Sequence, residues 1–192
     1  MRVIDLAVAR GDRRVLSALN FTVEPGEVLH LVGANGAGKT SLLEVLSGLR
    51  APAEGRVEGQ PEADALHWVG HRNALNTSLS PLENLGFWCR LSGVSGRGTA
   101  GALQRVGLQR LRHRPCGKLS TGQRRRVALA RLLLSPRPWW FLDEPLAGLD
   151  AAGIELVCTL LNEHAAAGGA VVVSSHQPLA AVATRREWVL GA

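Results

Sequence analysis

Gly33-Ala34-Asn35-Gly36-Ala37-Gly38-Lys39-Thr40, followed by Ser41, constrains this chain more than any other stretch of it. Its glycines let backbone N–H groups converge on an anion without interference from a Cβ. Such a loop has meaning only between a strand and a helix, and its flanks supply both. Upstream, Val28-Leu29-His30-Leu31-Val32 reads as a buried strand after a Pro25-Gly26 turn. Downstream, Leu42, Leu43, Leu46 and Leu49 recur at helical spacing, predicting a helix over 40–49 with Gly48 near its end. The N-terminus of that helix adds positive potential. Lys39 then brings a full charge towards the β- and γ-phosphates of a nucleoside triphosphate, and Thr40 offers a hydroxyl to Mg2+. The loop predicts an ATP site.

Trp139-Trp140-Phe141-Leu142-Asp143-Glu144 is an apolar strand that ends in two carboxylates before Pro145. Strand alternation predicts that the two side chains leave on opposite sides and take different roles. Asp143 suits the Mg2+ shell. Glu144 suits a general base that polarises an attacking water. His176 follows another apolar strand, Val171-Val172-Val173-Ser174-Ser175, which is expected to lie beside the other two. From there it would reach the γ-phosphate.

The remaining pattern predicts an α/β fold with a mainly parallel core sheet, a small antiparallel β-subdomain and a helical insert. Short antiparallel strands are expected within 1–31, and a loop and edge strand over 51–64. Ser80-Pro81-Leu82-Glu83 carries three helix-start signals: Ser as N-cap, Pro at the first helical position and Glu three residues after the cap. A helical insert follows over about 84–116, with a Ser/Gly-rich loop from Gly93 to Gly101. An amphipathic helix is expected over 124–134 and an Ala-rich helix over 154–167. The whole chain, 1–192, is expected to be one domain, with a helical subdomain at about 72–135. Leu85, Phe87, Trp88 and Leu91 stand at near-helical spacing; they fit either core packing or a groove that receives a partner's helix.

Net charge is +6 and comes almost wholly from Arg, since only Lys39 and Lys118 are lysines. A basic surface suits nucleic acid or anionic lipid; the charge reads as dispersed, which favours an ordinary solvated surface. Three cysteines with no CxxC pair argue against a disulfide framework or zinc site and suit a reducing compartment. No secretory signal is visible, and no apolar run reaches the roughly 20 residues a membrane span needs. The chain is expected in the cytoplasm, meeting a membrane only through a partner.

With these motifs in hand, the chain resembles the nucleotide-binding subunit of ABC transporters over essentially its whole length. Leu119-Ser120-Thr121-Gly122-Gln123 is similar to that family's LSGGQ motif, with Thr for one Gly, and Asp143-Glu144-Pro145 through Ala147-Gly148-Leu149-Asp150 to its Walker B and D-loop run. The resemblance implies an ABC-type nucleotide-binding domain acting as an ATPase. It implies a head-to-tail homodimer in which Ser120 to Gln123 of one copy cap the ATP held by the other, with Asp150 close by. Ser120 and amides at a helix N-terminus would make that second anion site, and Arg124, Arg125 and Arg126 would steer phosphate or meet the facing subunit.

Two positions depart from the family pattern. Arg10 stands where an adenine-stacking Tyr belongs; a guanidinium stacks on adenine with about 0.5–2 kcal/mol. His71 stands where the Q-loop Gln belongs. Trp68-Val69-Gly70-His71, the run from Ser80 to Trp88, Arg124 to Arg131 and Ser175-His176-Gln177-Pro178-Leu179 further resemble the ATPase subunit of the cytochrome c maturation (haem exporter) ABC complex. That resemblance implies an integral-membrane permease as partner and a peripheral location on the cytoplasmic face of the bacterial inner membrane. ATP use would there serve haem handling or release of a haem chaperone. Two other readings share some motifs: the ATPase of a lipid or small-peptide exporter, and a soluble ABC protein acting on nucleic acid. The second generally needs two such domains or a long coiled-coil insert, so no nucleic-acid partner is expected.

Overall fold

The structure is a computed structural model and describes residues 1–190. Its elements follow the hydrophobic pattern closely. β1 (Arg2–Arg10) and β2 (Arg13–Thr22) form an antiparallel hairpin, and β4 (Glu54–Glu58) pairs antiparallel with the other edge of β1. A second sheet holds β3 (Val28–Val32), β5 (Leu66–Val69), β6 (Trp139–Asp143), β7 (Ala170–Ser174) and β8 (Arg185–Val189) in the order β5-β6-β7-β3-β8, with every pairing parallel. The inner strands β3, β6 and β7 are nearly continuous apolar runs because both faces of a parallel sheet are covered, whereas the edge strand β8 is largely charged and only partly buried. α1 (Lys39–Leu46) follows β3 and is shorter than expected, stopping before Gly48 at φ 78°.

The chain divides into two compact units: residues 1–70, 137–145 and 158–192 in the first, and 71–136 with 146–157 in the second. The first unit holds both sheets. Its core gathers Leu6, Val8 and Phe21 of the antiparallel sheet, Leu29, Leu31, Phe141 and Val172 of the parallel sheet, and Leu42, Leu43 and Leu46 of α1. Trp188 packs on Phe21 with ring centroids 4.7 Å apart. Strand order places β7 between β6 and β3, so the C-terminal ends of these three strands lie in a row. In an open parallel sheet that edge is where ligands bind.

The second unit is helical. α2 (Pro81–Leu91) begins at the Ser80 capping box. α3 (Thr99–Arg105) takes in the end of the segment expected as loop: after a short 3₁₀ turn at Gly96–Gly98, Thr99 is buried and Ala102 joins Leu103 and Val106 in the unit's core. Burial therefore overrides the glycine content there. α4 (Thr121–Leu129) starts three residues earlier than expected, because Ser120 and Gln123 form a reciprocal cap, and it tightens into a 3₁₀ turn over Ala130–Leu133. α5 (Ala151–Ala166) also starts three residues early; Asp150 Oδ1 accepts the Gly153 N–H at 2.9 Å and caps it. Leu85, Leu103, Val106, Cys116, Leu119 and Val127 form this unit's core.

Candidate active site

The phosphate loop needs glycine at two places for different reasons. Gly33 lies so close to β8's end that a Cβ would stand 2.7 Å from the Leu190 carbonyl oxygen. Gly38 has φ 98°, left-handed backbone that turns the chain into α1. Lys39 is buried, and its ammonium donates to the carbonyls of Gly33 (2.7 Å) and Ala34 (3.1 Å) of its own loop. Those bonds hold the charge inside the curve of Ala34, Asn35, Gly36 and Ala37. Ser41 is buried one residue beyond Thr40.

Asp143 sits at the last position of β6, in register with Ser174 of β7. The Ser174 hydroxyl donates to Asp143 Oδ1 at 2.6 Å, and Thr40 Oγ1 donates to the same carboxylate at 2.9 and 3.1 Å. Hydroxyl and carboxylate oxygens are the hard donors Mg2+ prefers, and one of each from the protein suits an ion that keeps waters and takes phosphate oxygens. Among the described residues no group of three or more His, Cys, Asp and Glu side chains forms a closed metal cage. The donor set thus fits a shared protein–nucleotide Mg2+ site.

Glu144 diverges from Asp143, though not by strand alternation. Its φ is +50°, so the backbone turns at this residue instead of continuing as strand. Its N–H donates to the carbonyl and hydroxyl oxygens of Ser174, each at 3.1 Å, which over-determines a conformation that costs a non-glycine residue about 1–3 kcal/mol. The turn delivers the carboxylate to His176. Glu144 Oε2 accepts the His176 N–H at 3.3 Å, whereas Oε1 is buried without a hydrogen bond, 3.4 Å from His176 Nε2. The same Nε2 lies 3.3 Å from Lys39 Nζ. One imidazole nitrogen therefore stands between the loop's cation and the carboxylate. A buried carboxylate oxygen with nothing to accept from can take a proton from a water held beside it.

The first unit thus brings together Lys39 and Thr40 of α1, Asp143 and Glu144 at the end of β6, and His176 just after β7. Ser174 is the functional residue that sequence reasoning passed over. A hydroxyl in an otherwise apolar strand, two residues before His176, was its signal. Arg10 stands exposed at the end of β1, next to the Gly11 turn.

In the helical unit, His71 is exposed in the loop that follows β5. Ser120 is exposed, and its hydroxyl accepts the Gln123 N–H at 3.1 Å while Gln123 Oε1 accepts the Ser120 N–H at 2.9 Å. Gln123 is therefore a helix cap first. The Thr in LSTGQ is accommodated because Thr121 is exposed and its methyl lies over Gly148. The following Gly122 has no such freedom: a Cβ there would stand 2.6 Å from the Gly148 carbonyl oxygen.

The expectation for the arginine triplet needs correction. Arg125 is buried and donates to Asn73 Oδ1 at 3.1 Å, so it packs this unit instead of facing outward; Arg124 donates to the Leu119 carbonyl at 2.7 Å. The reading of dispersed charge also fails. The helical unit holds twelve of the 22 Lys and Arg residues but three of the 16 Asp and Glu, so it carries +9 against −3 for the rest of the chain. On α2, Leu85 is in the core, while Phe87 (56% exposed) and Leu91 (76% exposed) lie open and line, with Trp88, Leu79 and Arg131, a groove of about 350 Å3. Burial pulls the Arg131 guanidinium below its ordinary pKa.

This fold and site are those of an ATP-binding subunit: the chain belongs to the ABC transporter family, which it matches over residues 16–147. A putative ABC transporter ATP-binding protein from Pyrococcus furiosus superposes with a TM-score of 0.83 at 27% identity, covering 97% of this chain and 96% of that one. Within the family, the chain groups with the cytochrome c biogenesis ATP-binding export proteins. It is 45% identical over 193 residues to CcmA of Rhodopseudomonas palustris (strain BisB5), covering 97% of this chain and 96% of that protein. It is also 45% identical over 188 residues to CcmA of Mesorhizobium japonicum, covering 93% and 94%.

Proposed function

We propose that this chain is the ATPase subunit of the ABC complex of cytochrome c biogenesis, the haem exporter, and that it hydrolyses ATP with Glu144 as general base. The observation that carries the chemistry is the buried, unbonded Glu144 Oε1, 3.4 Å from His176 Nε2, which itself lies 3.3 Å from Lys39 Nζ. The near full-length likeness to the CcmA proteins carries the pathway.

In this reading the β- and γ-phosphates lie along the loop from Gly33 to Ser41. Lys39 turns its charge from the loop carbonyls towards them as they enter. Thr40 and Asp143 are the residues that would hold Mg2+, which when bound would neutralise developing charge on the phosphates. Glu144 orients a water and takes its proton, a role worth about 10²–10⁴-fold in rate. His176 donates to the γ-phosphate and passes position from Glu144 to Lys39. Arg10 stacks on adenine. Ser120, Thr121, Gly122 and Gln123 of a second copy close the site as a cap, with Asp150 and His71 beside it; exposure of Ser120 at the start of a nine-residue helix supports this homodimeric closure.

The groove between Phe87, Leu91 and Arg131 receives a helix of the integral-membrane permease. No helix among the described residues is long and apolar enough to cross a membrane. The +9 helical unit supports a peripheral place at the anionic cytoplasmic face of the inner membrane. Haem handling or release of a haem chaperone is then the work done by each ATP cycle.

One preparation tests both halves. Tagged Glu144→Gln chain is expected to lose ATP turnover by about 10²-fold or more and, with Mg-ATP, to co-purify from detergent-solubilised membranes with a cytochrome c maturation permease. Normal turnover in Glu144→Gln removes the assigned base. Recovery of another permease keeps the ATPase and discards the pathway.

A further inference from the structure

His30 is a buried histidine in the strand that leads into the phosphate loop, and nothing in the mechanism above uses it. It is 2% exposed, at the centre of β3, between Val173 of β7 and Glu187 of β8. Burial pulls its pKa below the ordinary value, against a raising pull from Ser175 and Glu187. Its Nε2 lies 3.2 Å from the carbonyl oxygen of Ser175. A carbonyl only accepts, so Nε2 carries the proton and donates. Its Nδ1 is buried without a hydrogen bond, 3.7 Å from Glu187 Oε1.

The Ser175 carbonyl belongs to the peptide that joins Ser175 to His176. The N–H of that same peptide donates to Glu144 Oε2 at 3.3 Å. One peptide plane is therefore held from both edges, by His30 on its oxygen and by Glu144 on its nitrogen. Its orientation sets where the His176 side chain leaves the backbone and how Glu144 is turned. A merely packed core residue would not select the one carbonyl that precedes the histidine of the site.

We propose that His30 is a positioning residue for ATP hydrolysis: its Nε2–H fixes the Ser175–His176 peptide and through it the alignment of His176 with Glu144. It rests on the reading of His176 given above. Because His30 lies three residues before Gly33, it also ties the strand beneath the phosphate loop to the strand that carries His176. Loss of the bond frees the peptide to rotate, which misaligns the water-activating pair but leaves the phosphate loop intact. The effect falls on kcat and spares KM for ATP.

The test compares His30→Leu, which removes the donor at similar volume, with His30→Gln, whose amide offers a donor at comparable reach, in the full chain within its membrane complex. His30→Leu is expected to lower kcat about tenfold, the scale of one lost hydrogen bond, with KM for ATP within about twofold; His30→Gln is expected to recover most of the loss. In a His176→Ala background, His30→Leu is expected to add nothing, since both act through one group. Unchanged kcat in His30→Leu, a loss that His30→Gln does not recover, or full additivity with His176→Ala overturns the proposal. His176→Ala with normal kcat is a distinct failure, which removes the role of His176 and His30's with it. If His30→Leu does not fold, long-range ¹⁵N–¹H spectra of the unaltered chain decide: the expected state is the Nε2–H tautomer, and an Nδ1–H tautomer overturns the inference.

Discussion

At the scale of single residues, the active edge is held by backbone constraints as much as by charges. Glu144 is the case in point: its left-handed backbone is secured by two acceptors on Ser174, and this conformation frees one carboxylate oxygen from hydrogen bonding. The signature segment illustrates the same rule through volume. Thr121 tolerates a side chain where Gly122 cannot, because a Cβ added at Gly122 would stand 2.6 Å from the Gly148 carbonyl oxygen. Gly122→Ala is therefore expected to destabilise the chain by about 1–3 kcal/mol through overpacking, whereas Thr121→Gly restores the commoner motif with a much smaller change. Denaturant midpoints of the two variants check this; equal losses would contradict it.

His164 gives a pH-dependent outcome at the same scale. Its ring stacks on Trp140 at 3.8 Å, and burial holds its pKa below the ordinary 6.5. Over the interval between the folded value and 6.5 the unfolded chain binds the extra proton, so stability rises with pH there. The contribution is fully present above about pH 6.5 and is lost as pH falls through the folded value. Melting temperature is expected to drop on acidification from neutrality, and to drop less in His164→Gln. An identical fall in the variant would assign the acid sensitivity elsewhere.

At the scale of elements, the helical unit depends on its caps. The Ser80 hydroxyl accepts the Glu83 N–H at 3.3 Å, and Glu83 Oε2 accepts the Ser80 N–H at 2.8 Å. The Ser80 hydroxyl donates to Glu83 Oε2 at 2.6 Å, and that bond, with the one from the Ser80 N–H, holds the Glu83 carboxyl below the usual carboxylate range. Ser80→Ala is expected to cost about 1 kcal/mol, and the loss should appear first as faster amide exchange in the opening turn of α2. Unchanged exchange there would show that tertiary packing alone fixes the helix start. The cap also matters for the proposed permease groove, since α2 carries Phe87 and Leu91 at fixed spacing from Ser80.

At the scale of the whole molecule, charge is partitioned and not spread. Three carboxylates in the helical unit can neutralise at most three of its twelve basic side chains from within. Each Lys or Arg near an anionic leaflet is worth about 1 kcal/mol, and salt screens it. Recovery of the chain on membranes is therefore expected to fall when ionic strength is raised from about 0.1 to 1 M, and Arg110→Glu with Arg114→Glu should lower it at moderate salt. Salt-independent recovery would mean that the permease contact alone retains the subunit.

Much of this site was legible in the amino-acid order because its parts are local. The phosphate loop, the Ser80 cap and the strand ending in Asp143 each depend on residues within a few positions of one another, where spacing determines geometry; the Ser120 cap is as local, but the helix it starts begins three residues earlier than expected. The amino-acid order by itself determined the phosphate loop, the family and the capped start of α2. Tertiary structure alone decided what crosses strands. Asp143 meets Ser174 through the β6–β7 register, His30 reaches the Ser175 carbonyl through the β3–β7 pairing, and Arg125 is buried by its bond to Asn73. It also set the turn that aims Glu144, which strand periodicity misreads. These contacts join positions far apart in the chain, so no window along the sequence holds both partners; only the assembled sheet and the packed helical core bring them within hydrogen-bonding distance.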